Sequence, residues 1–233
     1  AQRTLSDEVI QVASLPARKE GFVIDYAIME TASNFVFKAD TTYYVTNLVT
    51  LSGVTTIEGG TVVKFGTNAT GITIYDGVKC LTDAYRPATF TGKDDDSVGS
   101  QIPGLTGTNS GYYAGVALQC FQTNDISHIR VFNAGTGFEW NYSDASLRHA
   151  QFINCAYTAI YGFGSDSTFQ NILIYNSDTA FGGYNGFVAH GEHITVHNCN
   201  TFGYDGDIGT TFYLTNSLLV NVTRWGFHLT VLS

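Results

Sequence analysis

An asparagine closes an apolar strand five times between Ile126 and Phe227, at nearly constant spacing. It is Asn133 in IRVFN, Asn154 in AQFIN, Asn176 in ILIYN, Asn198 in ITVHN and Asn221 in SLLVN, with steps of 21, 22, 22 and 23 residues. Two positions before each stand Val131, Phe152, Ile174, Val196 and Leu219. Four before stand Ile129, Ala150, Ile172, Ile194 and Ser217, and seven before stand Ile126, Leu147, Phe169, Gly191 and Leu214. Five or six after come Phe138, Ile160, Phe181, Tyr204 and Phe227. Several columns holding one register through five units mark an internal repeat.

A period near 22 suits two solenoids. Leucine-rich repeats carry fixed leucines and a helical half; these units are short alternating strands broken by Gly, Asn, Asp and Ser. A β-solenoid is therefore expected, each unit one coil, with like residues stacked about 4.8 Å apart. Asn suits the corner: its amide can bond the coils on either side, and it tolerates the left-handed backbone of a sharp turn.

Before that block the pattern is looser. Leu5, Val9, Val12 and Ala13 share one helical face, and Thr4 with Asp7 resembles a capping box, so a short helix capping the first coil is expected before Pro16. FVIDYAIM, NFVFKA and TYYVTN, within 22–45, read as an extended lead-in. In TTIEGGTVVKF and ITIYDGVKC, Ile57 aligns with Ile74 and Gly60 with Gly77, 17 residues apart. Residues 93–115 interrupt the rhythm as a loop insertion rich in Gly, Ser and Asp.

The repeat resembles the right-handed parallel β-helix superfamily, the pectate-lyase-like group. VTLSGVTTIEGGTVVKFG is similar to an opening common in secreted bacterial β-helix proteins, and YRPATFTGKDDDSVG to the segment that follows it there. The resemblance covers roughly 45–230 and implies an all-β, right-handed parallel β-helix; the rung count gives about eight coils, with 1–44 as cap and lead-in and 45–233 as the β-helix. It also implies a secreted bacterial surface setting. It specifies no reaction, because such domains serve enzymes and adhesins alike.

Composition narrows the partners. Eleven Lys and Arg stand against 20 Asp and Glu, a net charge of −9, with no basic cluster to meet nucleic acid. No apolar run reaches the roughly 18 residues of a membrane span. The chain begins Ala-Gln-Arg, as a mature secreted protein could. Of the four cysteines, Cys155 and Cys199 stand two coils apart, too far to bridge, whereas Cys80 and Cys120 could fall on neighbouring coils and pair.

Chemistry is sparsely signalled. Polygalacturonase-like members of the superfamily carry Asn-x-Asp, a paired Asp, Gly-His-Gly and Arg-x-Lys. Here Asn176-Ser177-Asp178, Asp205-Gly206-Asp207 and His190-Gly191 are the partial matches, with His190 preceding Asp205 and no Arg-x-Lys downstream. Asp178, Asp205, Asp207 and His190 are thus the catalytic candidates, and the broken order argues against activity on acidic polysaccharides. Asp94, Asp95 and Asp96 could hold Ca²⁺, although a solvated charged turn is the simpler reading. His128, His149, Asn171, His193 and Asn216, five before each ladder Asn, form an outer polar column, in which neighbouring His128 and His149 could share an anion or a metal.

Strand alternation turns Phe132, Ile153, Tyr175, His197 and Val220 outward beside Arg130, Gln151, Leu173, Thr195 and Leu218. An apolar stripe outside a β-helix marks a contact, with the insertion, the N-terminal segment or another molecule. Trp225, Phe227 and Leu229 extend it to an uncovered last coil, open to stacking or to strand addition from residues 22–45 of a neighbour. The expected function is an extracellular structural or adhesive protein that assembles with itself. A pectate-lyase-like enzyme and a carbohydrate-binding module are the alternatives.

Overall fold

In a computed structural model, residues 26–103, 111–205, 209–226 and 229–232 are described. They form a parallel β-solenoid of about eight turns, without a helix. The strands wind through three faces. The first holds Ala27–Ile28, Thr42–Val45, Val62–Phe65, Ala88–Gly92 and Ile129–Phe132, then the later halves of Ala145–Ile153 and Asp166–Tyr175. The second runs through Leu48–Ser52, Gly71–Ile74, Ala114–Cys120, Ala134–Asn141, Thr158–Phe163 and Thr179–Tyr184. The third begins with Val36–Phe37, Thr55–Glu58 and Val78–Leu81 as a separate three-stranded sheet. It continues from Asn124–Ser127 to Thr210–Thr215 and Leu229–Leu232.

Period-2 alternation sends every second residue inward, and parallel register stacks these into columns. On the first face Ala27, Tyr43, Val63, Phe90, Val131, Phe152, Ile174, Val196 and Leu219 are successive register partners. From Tyr43 to Val196 they are buried. The second face stacks Val49, Ile72, Leu118, Phe138, Ile160, Phe181 and Gly203. Gly203, not Tyr204, takes the inward place there, and Tyr204 stands exposed. Phe169, Phe181, Phe187, Phe202 and Phe212 meet edge-on or tilted in the core of the later turns.

The corner between first and second faces is the asparagine column. Asn133, Asn154, Asn176, Asn198 and Asn221 all have φ between 53° and 58°, the left-handed region that Asn enters more readily than most residues. Their amides form a one-way ladder. Asn154 Nδ2 donates to Asn133 Oδ1 at 3.1 Å, Asn176 to Asn154 at 2.7 Å and Asn198 to Asn176 at 2.9 Å. Cys155, Ser177 and Cys199 follow one position on, and Cys155 N–H donates to Ser177 Oγ at 3.1 Å.

The insertion folds back over the first face of the early turns. Ser100 N–H donates to Thr42 Oγ1 at 2.8 Å, Thr91 Oγ1 to Asp95 Oδ2 at 2.7 Å, and Tyr113 packs where a side chain at Gly92 would stand. Beneath it lies Lys64, outward by strand parity between its register partners Tyr44 and Thr91, yet 0% exposed. No hydrogen bond reaches its Nζ. Burial pulls the lysine below its ordinary pKa, more than Asp96 and Asp95 raise it.

Several expectations are corrected. The solenoid starts by Ala27, so Thr42–Val45 already belongs to the second turn rather than to a lead-in. Residues 26–45 are therefore largely committed to the protein's own sheets. The 17-residue alignment does not describe a turn: Ile57 pairs with Cys80 on the third face, whereas Ile74 pairs with Leu51 on the second. Both are inward isoleucines followed by a glycine turn, on different faces. All four cysteines are unbridged; Cys80 lies on the third face and Cys120 inside the second, so adjacent turns do not bring them together. The expected N-terminal helix lies outside the described residues.

Candidate functional site

The third face of the later turns carries an open groove of about 350 Å³. Two outward columns border it, two residues apart on each strand. One is Asp125, Ser146, Thr168, His190 and Tyr213; the other is Ser127, Arg148, Gln170, Glu192 and Thr215. Every position in both columns can donate or accept a hydrogen bond. Inward of them run Ile126, Leu147, Phe169, Gly191 and Leu214, which fix the strands from below.

Neighbouring turns lock these side chains to one another. Arg148 grips Asp125 with both Nη2 (2.6 Å) and Nε (3.3 Å). Gln170 Nε2 donates to Glu192 Oε2 at 3.1 Å, while Glu192 Oε1 lies 3.5 Å from His193 Nε2. His190 Nε2 is 3.1 Å from Asp166 Oδ1, and its ring stacks on Tyr213 at 4.7 Å with 4° between planes. Asp125, Arg148, Gln170, Glu192, His190 and Tyr213 are thus accessible to a ligand yet held in a fixed pattern, the arrangement that limits ordering loss on binding.

The catalytic candidates are dispersed. Asp178 sits at the corner of first and second faces, accepting from Asn200 Nδ2 at 2.7 Å. Asp205 ends the strand Val188–Asp205, its backbone paired with Gly183 on the second face. His190 is on the third face, and Asp207 lies outside the described residues. Gly191 has a packing role: a Cβ there would stand 2.8 Å from both Ile194 Cγ1 and Leu214 Cδ2. In the insertion, Asp94 accepts from Tyr113 Oη at 2.9 Å, Asp95 from Thr91 and Ser97, and Asp96 from Gln101. The three carboxylates thus accept from different partners and share none of these donors. No cluster of three metal-ligating side chains occurs among the described residues.

The outward stripe of the first face is only partly open. Phe132, Ile153, His197 and Val220 are half-buried, Tyr175 is 40% exposed and Leu218 57%. Trp225 is exposed against Phe202 at 5.7 Å; Leu229 pairs with Thr210, and Phe227 lies outside the described residues. The insertion covers the early turns of this face and leaves those later positions uncovered by its described residues.

The third-face columns were missed in the sequence although their signal was present. They stand eight and six positions before the ladder asparagines, a phase that conserves polarity rather than residue type. The chain matches no protein-family model, no curated protein and no solved structure.

Proposed function

We propose that this β-solenoid is a non-catalytic, extracellular carbohydrate-binding protein with an adhesive role, holding a glycan chain along the third-face groove. The observation that carries the reading is the pair of polar columns, in which every turn presents polar side chains and Arg148, Gln170, Glu192, His190 and Tyr213 are held by hydrogen bonds, ion pairs or ring stacking. A linear polymer of hydroxyl-rich units suits such an array, because successive units meet successive turns. The His190 and Tyr213 rings lie face to face, so they offer edges, and recognition rests on hydrogen bonds more than on ring stacking.

The test is calorimetry against a panel of soluble polysaccharides, with sugar release followed in parallel. One or more glycans should bind, Tyr213→Ala and Gln170→Ala should each weaken binding about tenfold, a loss of roughly 1.4 kcal/mol, and no sugar should be released. Binding indifferent to both substitutions would sink the groove as the site. Sugar release abolished by His190→Asn would replace the reading with an enzymatic one.

Self-assembly is a second reading, favoured by one observation: Leu218, 57% exposed, stands two residues from half-buried, outward Val220 on the first face. Sedimentation at micromolar concentration tests it. Higher species that Leu218→Lys dissolves would support a contact between copies, and a monomer would exclude one.

A further inference from the structure

The corner between third and first faces has its own column of left-handed residues. His128, His149, Asn171, His193 and Asn216 have φ of 50°, 53°, 54°, 56° and 48°. The first two stack, with ring centroids 4.6 Å apart and planes 14° from parallel. His149 Nδ1 lies 3.2 Å from Asn171 Nδ2, and His128 Nδ1 is shielded from water without a partner. With both Nδ1 atoms turned to the protein, Nε2 is the nitrogen each ring offers to a ligand. A groove of about 330 Å³ runs past both rings, edged by Ala84, Pro87, Arg130 and Gln151. The Arg130 guanidinium has no hydrogen bond or ion pair among the described residues.

We propose that this corner binds an oxyanion group (sulfate, phosphate or carboxylate) through His128, His149 and Arg130, taking up protons as it does so. A shared metal ion does not fit. Imidazole lone pairs lie in the ring plane, and one ion at 2.0–2.1 Å from two nitrogens cannot lie in two near-parallel planes stacked at this distance. Tetrahedral and carboxylate anions do fit, because their oxygens can accept from two N–H groups on adjacent turns while Arg130 supplies a lasting charge.

The groups facing His128 set the linkage. Burial lowers its pKa most, His149 and Arg148 lower it further, and Asp83 raises it. Arg148 is already matched by Asp125, which leaves Arg130 as the unbalanced lasting charge beside the rings. In an empty site burial and the stacked neighbouring ring disfavour protonation of His128; a bound oxyanion offsets that, so affinity rises as pH falls. This site does not depend on the third-face glycan reading and stands if that reading fails.

The experiment follows the imidazole proton resonances of the intact protein during titration with sodium sulfate or inorganic phosphate, against a sodium chloride control. Sulfate should bind about tenfold tighter at pH 5.5 than at pH 7.5, the gain expected when binding takes up about half a proton on average across those two pH units. Arg130→Gln should weaken it about tenfold at both pH values. His128→Asn should abolish most of the pH dependence; it keeps the corner, since Asn171 and Asn216 already occupy this column. Dextran sulfate separates the sources. Binding per sulfate no tighter than the free ion indicates a small-ion site; much tighter binding, lost in Arg130→Gln, indicates a group carried on a polymer. Resonances that move no further with sulfate and phosphate than with chloride, or full pH dependence in His128→Asn, would overturn the proposal.

Discussion

Asn221 Nδ2 lies 3.4 Å from His197 Nε2, so the amide ladder that climbs from Asn133 to Asn198 leaves its own column at the next turn. The departure coincides with the longest step in the repeat, 23 residues. The backbones stay in register there, with His197 opposite Val220 and Cys199 opposite Val222, so it is the Asn221 side chain alone that turns aside to the neighbouring imidazole.

Asn176→Ala should lower unfolding stability by about 1–3 kcal/mol, because it empties both sides of a ladder position and leaves a β-carbon at φ 53° without the short polar side chain that lets Asn tolerate it. Asn176→Gly keeps the backbone accessible and loses only the amides. Urea midpoints should therefore rank wild type above Gly above Ala, and equal midpoints for all three would remove the ladder from the account.

Lys64→Met should stabilise the protein by about 1 kcal/mol at pH 7, since an ammonium with no hydrogen-bond partner gives way to an apolar chain of similar length. The pH sign follows from its lowered pKa. The unfolded chain holds the proton up to about the ordinary value of 10.5, while the folded chain releases it earlier. Wild-type stability from this group therefore rises with pH through the window below 10.5. Thermal melts between pH 7 and 10 should show that rise in wild type and lack it in Lys64→Met.

Thiol labelling should distinguish the cysteines by face. Burial pushes Cys120 and Cys155 up to about 12, and Cys199 is buried as well, so all three should react only on unfolding. Half-buried Cys80 on the third face should react in the native state. Rapid native modification of two or more thiols would contradict the inward placement of the second-face and corner cysteines.

His128 should make the protein less stable in acid. Its folded pKa lies below 6.5, so in the window beneath that value the unfolded chain binds more protons and stability drops as pH falls. His128→Asn should show a smaller loss than wild type between pH 7 and 5 in urea titrations at low sulfate. Identical losses would place the histidine in solvent-like surroundings.

The later turns were legible because their period barely changes: one register carries the Val131 column, the Asn133 column and both outward columns at once. The early turns were not, because their steps vary. Tyr43 to Val63 is 20 residues, Leu51 to Ile74 is 23, and the insertion stretches Ile74 to Cys120 to 46. Similar residues on different faces then mimic a repeat, as Ile57 and Ile74 did. The third-face groove escaped for another reason. Inward columns must stay apolar and announce themselves, whereas outward columns at Ser146, Thr168, His190 and Tyr213 need share only polarity. Lys64 shows the remaining limit, since no local pattern says which face a loop will roof.

Outside the insertion, register partners lie about one turn apart in sequence, so each turn meets chiefly its two neighbours. Cooperativity in such a chain is set by nearest-neighbour coupling, and a weakened turn becomes a boundary across which fraying stops or starts. The third-face groove crosses the turns that contribute Arg148, Gln170, Glu192 and Thr215. A polymer lying along it would act as an external splint, coupling turns that otherwise communicate only through those between them. Occupancy would then be readable far from the groove, as slowed amide exchange on the first and second faces of the same turns.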